Sequence, residues 1–261
     1  MRIASDQSHT GDKSSGPTPL SPAPTAPTPA APASLTPVRT EQAAILARHN
    51  QDNFVCASTG DFSYGPFQPA APDQYQKALP YCLDIPARKI VYLGGLDAST
   101  ARTAPFYYLY ARRNAAQAFL RPWHQTPAAV APLFLFSAGR CGSTLLCQML
   151  NAAGLAAVSE PDFYTQFTAS MLFDADPKGL FAAVGPALQH MTADLATTLA
   201  GGGKLVIKFR SDVSLAVRPL MALFPEARKS LFLYRDFPGW ARSTLRSFPC
   251  KPTQLISQYL Q

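Results

Sequence analysis

The chain is poor in the residues that build covalent or metal frameworks. Its five cysteines, Cys56, Cys82, Cys141, Cys147 and Cys250, form an odd, scattered set with no CxxC spacing and no His/Cys cluster. That leaves no pattern for a disulfide scaffold or a structural metal site. A reduced, metal-free, cytoplasmic protein is the expectation. Long apolar runs are missing as well. No stretch approaches the ~20 residues that span a bilayer, and residues 1–13 hold no apolar segment of the signal-peptide kind. No membrane partner is expected. Clustered Lys/Arg runs and nucleic-acid motifs are also wanting, so no nucleic acid is expected as a partner. The net charge of +7 and the pI near 9.3 then suit a small anionic ligand.

Composition divides what is present. Residues 1–39 are a Pro/Ala/Thr-rich tail that cannot bury enough apolar surface to offset its ordering entropy, so disorder is expected there. Residues 40–128 read as an irregular and helical N-terminal appendage. Thr40 can cap a helix over residues 41–49, residues 51–86 show no clear period, and residues 89–93 read as a strand. Pro105 suits a helix start before Phe106, Tyr107, Tyr108 and Tyr110. That aromatic group reads as core, with an acceptor pocket as the other reading. His124 reads as a surface or packing residue.

Residues 129–261 alternate between periods. Strands are expected at 133–136, 155–158, 204–209 and 231–234, and helices at 143–150, 174–200, 213–224 and 240–248. Such alternation implies an α/β fold with a parallel sheet covered by helices on both faces. Ligands of such sheets sit at the carboxyl ends of the strands.

One of those ends carries the strongest signal. After the apolar run at 133–136 come Ser137, Ala138, Gly139, Arg140, Cys141 and Gly142, a tight turn with two glycines and one cation. Ser143 or Thr144 can then cap a helix with Leu145, Leu146, Met149 and Leu150 at helical spacing. A strand, a glycine turn and a helix N-terminus make an anion cradle, because unpaired backbone N–H groups and the positive end of the helix dipole converge there. The stretch is not a Walker A loop, which has Lys before its Ser/Thr. An ordinary strand-to-helix turn is the other reading. With Arg140, Cys141, Gly142, Ser143, Thr144 and Leu145 in succession, the stretch instead resembles the 5′-phosphosulfate loop of P-loop sulfotransferases. Those enzymes use 3′-phosphoadenosine 5′-phosphosulfate (PAPS), and Cys141 stands where they carry Ser. The resemblance implies a P-loop nucleotide-binding type of domain over residues 129–261.

The resemblance assigns further positions. An Arg at a strand end and a Ser eight residues on hold the cofactor's 3′-phosphate in the family, and Arg235 and Ser243 have that separation. Phe237 stands where the family usually has Pro. Lys208, ending the third strand, corresponds to a Lys that stabilises charge on the bridging oxygen; its other reading is a snorkelling strand-end cation. Cytosolic members place a catalytic His two residues later, where this chain has Arg210, which cannot act as a base. Glu160, ending the second strand, corresponds to the Glu that takes the acceptor's proton in tyrosyl-protein and several carbohydrate sulfotransferases. A helix cap or a salt-bridge partner is its other reading.

The implied activity is sulfuryl transfer from PAPS, without a metal, to a hydroxyl or amine on a small-molecule, carbohydrate or peptide acceptor. Family members usually continue beyond the second phosphate motif into a basic loop that closes over the nucleotide. No such loop follows here, so a truncated or non-catalytic nucleotide-binding remnant is the alternative. A kinase-like phosphoryl transferase fits less well, for want of the Walker lysine and of a recognisable Mg²⁺ carboxylate.

Overall fold

The computed structural model describes residues 39–49, 56–123, 126–227 and 229–247. The expected disordered tail up to residue 38, His124 and the residues from 248 onward lie outside them.

The first half of the described chain builds an antiparallel sheet. Its strands are β1 (Glu41–Arg48), β2 (Phe62–Tyr64), β3 (Gln68–Pro69), β4 (Leu79–Asp84), β5 (Lys89–Gly94) and β6 (Gln117–Pro122). They lie in the order β2-β1-β6-β5-β4, with β3 also beside β1. Helices α1 (Pro72–Tyr75), α2 (Ala98–Thr103) and α3 (Tyr107–Asn114) occupy the connections. A second, four-stranded sheet follows, with β7 (Leu133–Ser137), β8 (Ala157–Ser159), β9 (Val206–Lys208) and β10 (Ser230–Leu233). Its order is β10-β7-β9-β8 and its pairings are parallel. Helices α4 (Ser143–Ala152), α5 (Phe163–Phe173), α6 (Pro177–Ala200), α7 (Val217–Leu223) and α8 (Phe237–Ser247) alternate with those strands.

This corrects the expected fold class. The main sheet is antiparallel, so the protein is not a single parallel sheet covered by helices on both faces behind an irregular or helical appendage. Two local features hid the larger sheet. Residues 41–48 are Glu-Gln-Ala-Ala-Ile-Leu-Ala-Arg, mostly good helix formers. They form β1 because β2, β3 and β6 all pair with it, and tertiary pairing overrides a propensity of a few tenths of a kcal/mol per residue. In β4, Pro80 breaks the apolar pattern. It is tolerated because β4 is an edge strand and its register shifts between Pro80 and Cys82.

One core joins the two sheets. Leu79, Leu83, Ile90, Tyr92 and Phe119 of the antiparallel sheet meet Phe134, Phe136, Val158 and Ile207 of the parallel one, with α5 and α6 packed among them. Phe134 lies against Phe136, Tyr164, Phe209 and Phe224 at centroid separations of 6.1, 6.2, 5.0 and 5.3 Å. Such pairs add about 0.5–1.5 kcal/mol each beyond simple burial. On the other face of the parallel sheet, Leu135, Ala157 and Val206 pack on Cys147, with Leu146 and Leu150 of α4 alongside. Side chains alternate along a strand. Ser137, Ser159 and Lys208, each two residues beyond one of those three apolar residues, therefore end their strands on the α4 face. Among the described residues no helix is long and apolar enough to cross a membrane.

Candidate functional site

The β7–α4 turn has the geometry its glycines require. Gly139 and Gly142 lie in the left-handed region at φ 73° and 86°. A side chain at Gly139 would also press on Ser211, whose Cβ is 3.3 Å from the place a Cβ would take. At Gly142 that place has nothing within 4 Å. Gly142 is the N-cap of α4, which corrects the expectation that Ser143 or Thr144 caps it; these are its first two residues. A glycine N-cap offers no side chain to accept from the first N–H groups of α4. The turn is tied to the neighbouring strand end: Ala138 N and Cys141 Sγ both donate to the Leu233 carbonyl, at 3.2 and 3.4 Å. Arg140 is exposed.

Lys208 and Glu160 come together. The Lys208 ammonium donates to Glu160 Oε1, and the two side chains are 4% and 11% exposed. The backbone joins them too, since Glu160 N donates to the Lys208 carbonyl at 2.7 Å. Burial pushes the Glu160 carboxyl above its ordinary range, and Lys208 opposes that shift without cancelling it. Burial likewise raises the nearby Cys147 thiol to about 11, so Cys147 stays a neutral, inert thiol at neutral pH. Ser159, in register with Lys208, is buried and its Oγ has no hydrogen-bond partner. Leaving such a hydroxyl unmet costs about 1–3 kcal/mol. Sequence reading missed Ser159, because a serine ending a short strand carries no pattern of its own.

The backbone supports the same location. Among the described residues three non-glycines have φ in the left-handed region: Arg88 at 52°, Arg140 at 52° and Glu160 at 58°. Arg88 belongs to the β4–β5 turn; the other two are candidate site residues. The left-handed conformation costs about 1–2 kcal/mol for an ordinary residue, and strain of this kind clusters at working sites.

Arg235 follows β10, the strand beside β7, and is exposed. Its side chain folds over the start of α8, where a Cβ added at Gly239 would meet Arg235 Nε at 2.7 Å. Gly239 therefore makes room for the guanidinium. Asp236 caps the helix by accepting from Gly239 N at 2.7 Å. Ser243 lies one turn beyond Gly239, on the same side of α8. A groove of about 360 Å³ runs between the turn and this helix, lined by Ala138, Arg235, Phe237 and Trp240. The rings of Phe237 and Trp240 stack at 5.9 Å and 26°. The sequence reading did not assign this pair; its signal was the spacing of three in Phe-Pro-Gly-Trp. A second depression, of about 350 Å³, lies at the amino ends of β7 and β9 beside Pro132 and Lys204, the end where such sheets do not bind ligands.

The sheet order thus sets Arg235, the 138–142 turn, Lys208 and Glu160 at successive carboxyl ends of β10, β7, β9 and β8. A glycine turn at a helix start, a stacked aromatic pair, two cations and a buried carboxylate follow one another along these strand ends. Among the described residues no group of His, Cys, Asp and Glu is placed to hold a metal ion. Comparison with family models, curated proteins and solved structures gives no match for this chain.

Proposed function

We propose that the protein is a sulfotransferase that uses PAPS as donor and a hydroxyl or amine on a small molecule, carbohydrate or peptide as acceptor. The observation that carries this reading is the contact between Glu160 and Lys208 at the ends of β8 and β9, on the β9 side of the 138–142 turn. A general base and a charge-stabilising cation are what transfer to a hydroxyl requires, and the turn and Arg235 offer two separate places for phosphate.

The donor's fit to these residues is supported by the open space at Gly142, the uncapped start of α4 and the unmet Ser159 hydroxyl. Gly139, Arg140, Cys141, Gly142, Ser143 and Thr144 would hold its 5′ side, and Arg235 with Ser243 its 3′-phosphate. The donor supplies the sulfuryl group. Glu160, raised by burial, takes the proton that the acceptor's O–H or N–H loses. Lys208 balances negative charge beside the cradle. Free thiols at Cys56, Cys82, Cys141 and Cys147 suit a reducing, cytoplasmic setting.

A binding-only protein is the second reading, and one observation favours it. Glu160 and Lys208 neutralise each other, as partners in a merely structural rung would. Transfer of radiolabelled sulfuryl to a panel of hydroxyl and amine acceptors separates the two. Turnover lost in Glu160→Gln, with nucleotide binding retained, supports the enzyme. Tight binding of adenosine 3′,5′-bisphosphate without transfer by the unmutated protein refutes it.

A further inference from the structure

We propose that Asp162 is a positioning residue for Glu160: it ties down Arg210 so that the carboxylate keeps a lysine, and not an arginine, as its partner. The inference rests on the reading of Glu160 as the base.

Two ion pairs join the segment after β8 to the end of β9, and each spans 48 residues. Glu160–Lys208 is the first. Two residues further along both segments, Arg210 Nη1 donates to Asp162 Oδ1 at 3.0 Å. The Asp162 side chain is fully buried, and its other oxygen accepts from Ala57 N at 2.5 Å. The Arg210 guanidinium lies over the Tyr108 ring of α3, 5.3 Å from its centroid. The second rung is therefore anchored twice to the antiparallel half of the protein, through Ala57 and through Tyr108.

Two physical reasons give this anchor its importance. The first is the turn. Glu160 precedes Pro161, a place where helical backbone is disfavoured, yet its φ is 58°. Such a conformation persists when its surroundings over-determine it. Glu160 N on the Lys208 carbonyl fixes one side of the turn, and Asp162 fixes the other. The second is competition. Arg210 follows Lys208 by two residues and bears on the Glu160 carboxyl electrostatically. Its guanidinium offers a planar fork to a carboxylate and never gives up its charge. A Glu160 bound by that fork would hold its proton less readily and serve poorly as a base. Asp162 holds one arm of the fork, through Arg210 Nη1.

The groups facing Glu160 are Lys208 and Arg210 from the β9 side, Asp162 ahead of α5, Cys147 of α4 and Tyr108 of α3. Tyr108 is raised by burial to about 12 and Cys147 to about 11, so neither titrates with the carboxyl. In Asp162→Asn, Arg210 loses the charged partner that holds it away from Glu160, and a nearby negative charge is removed. Both changes favour the ionised carboxylate, so its titration midpoint moves to lower pH. In Asp162→Asn/Arg210→Gln that cation is gone and the midpoint returns towards that of the unmutated protein.

The chain has three glutamates, Glu41, Glu160 and Glu226, so carbon-13 NMR of labelled glutamate carboxyls resolves the site, with Glu160→Gln as the assignment control. The expected result is a lower midpoint in the single variant and its recovery in the double. A midpoint unmoved in Asp162→Asn, or a double variant no closer to the unmutated protein than the single, overturns the proposal. Should Asp162→Asn fail to fold, Asp162→Glu carries the same test. It keeps the charge but moves the carboxylate off its seat on Arg210 Nη1 and Ala57 N, and its midpoint also falls if the clamp matters and stays if it does not. These titrations need no turnover. Failure of sulfuryl transfer by the unmutated protein strikes the enzyme reading, whereas an unmoved midpoint strikes the positioning role.

Discussion

Each half of the protein buries an ion pair, and the two pairs are built differently. In the antiparallel half, Arg112 meets Asp61 at 3.1 Å with side chains 0% and 2% exposed. Tyr81 OH donates to Asp61 at 2.7 Å, Arg112 Nε donates to Tyr81 at 2.9 Å, and Ser58 N donates to Asp61 at 2.9 Å. Donors and acceptors meet one another within the cluster. In the parallel half, the Glu160–Lys208 pair stands on left-handed backbone, beside an unmet serine hydroxyl and an uncapped helix start. Burial of charge is common to both and so identifies neither as a site. An unsatisfied hydroxyl lies near each pair, Tyr64 at the first and Ser159 at the second, but left-handed backbone is found at the second alone of these two pairs, and on that strain the proposed chemistry is placed there.

The sharpest way to break the comparison is to remove one charged member of each pair in turn. Glu160→Gln should lower sulfuryl transfer by about 10²–10⁴-fold, the worth of a general base, while bisphosphate affinity changes little. Measured turnover equal to that of the unmutated protein would move the base elsewhere. Arg112→Met should do the reverse. It leaves Asp61 buried and unpaired, a loss of about 3–5 kcal/mol in urea unfolding, and any activity that survives should be normal per folded molecule.

Why Glu160 and Lys208 could be placed at strand ends beforehand, while the members of the first pair were not singled out, lies in sequence spacing. Gly139 and Gly142 flag the turn because left-handed backbone favours glycine, and strand–helix alternation places Glu160 and Lys208 at strand ends. Asp61, Tyr81 and Arg112 come from a 3₁₀ turn, a strand and a helix with no shared period, and their meeting is a product of the antiparallel sheet. That sheet itself was hidden by helix-forming residues in β1 and by Pro80 in β4. Helix α5 was missed because Phe163, Tyr164, Thr165, Phe167 and Thr168 are all buried and leave no polar face to set a period. Gly239 revealed its purpose only once Arg235 was seen folded across it.

Smaller changes sharpen the contrast. Arg235→Ala should weaken bisphosphate binding about tenfold to a hundredfold, the scale of a hydrogen bond to a charged group at ~1.5–3 kcal/mol, and leave AMP binding nearly unchanged. Equal weakening of both ligands in calorimetric titration would make Arg235 structural. The pH dependence of stability should be weaker still. Burial raises Glu160 and Asp162 above their unfolded values. Their contribution is full below about pH 4, where unfolded carboxyls protonate, and is lost as pH rises through the higher folded values. Melting temperatures followed upward from about pH 4 should fall less steeply in Glu160→Gln/Lys208→Met than in the unmutated protein, and an unchanged slope would argue against this burial cost.

The central claim is that the parallel half holds two separate phosphate places, the 138–142 turn and Arg235 with Ser243. Calorimetric titration of the unmutated protein with adenosine 3′,5′-bisphosphate and with AMP, in moderate salt so that bare charge is screened, tests it most directly. The account predicts clearly tighter binding of the bisphosphate. Equal affinity for the two nucleotides would contradict it.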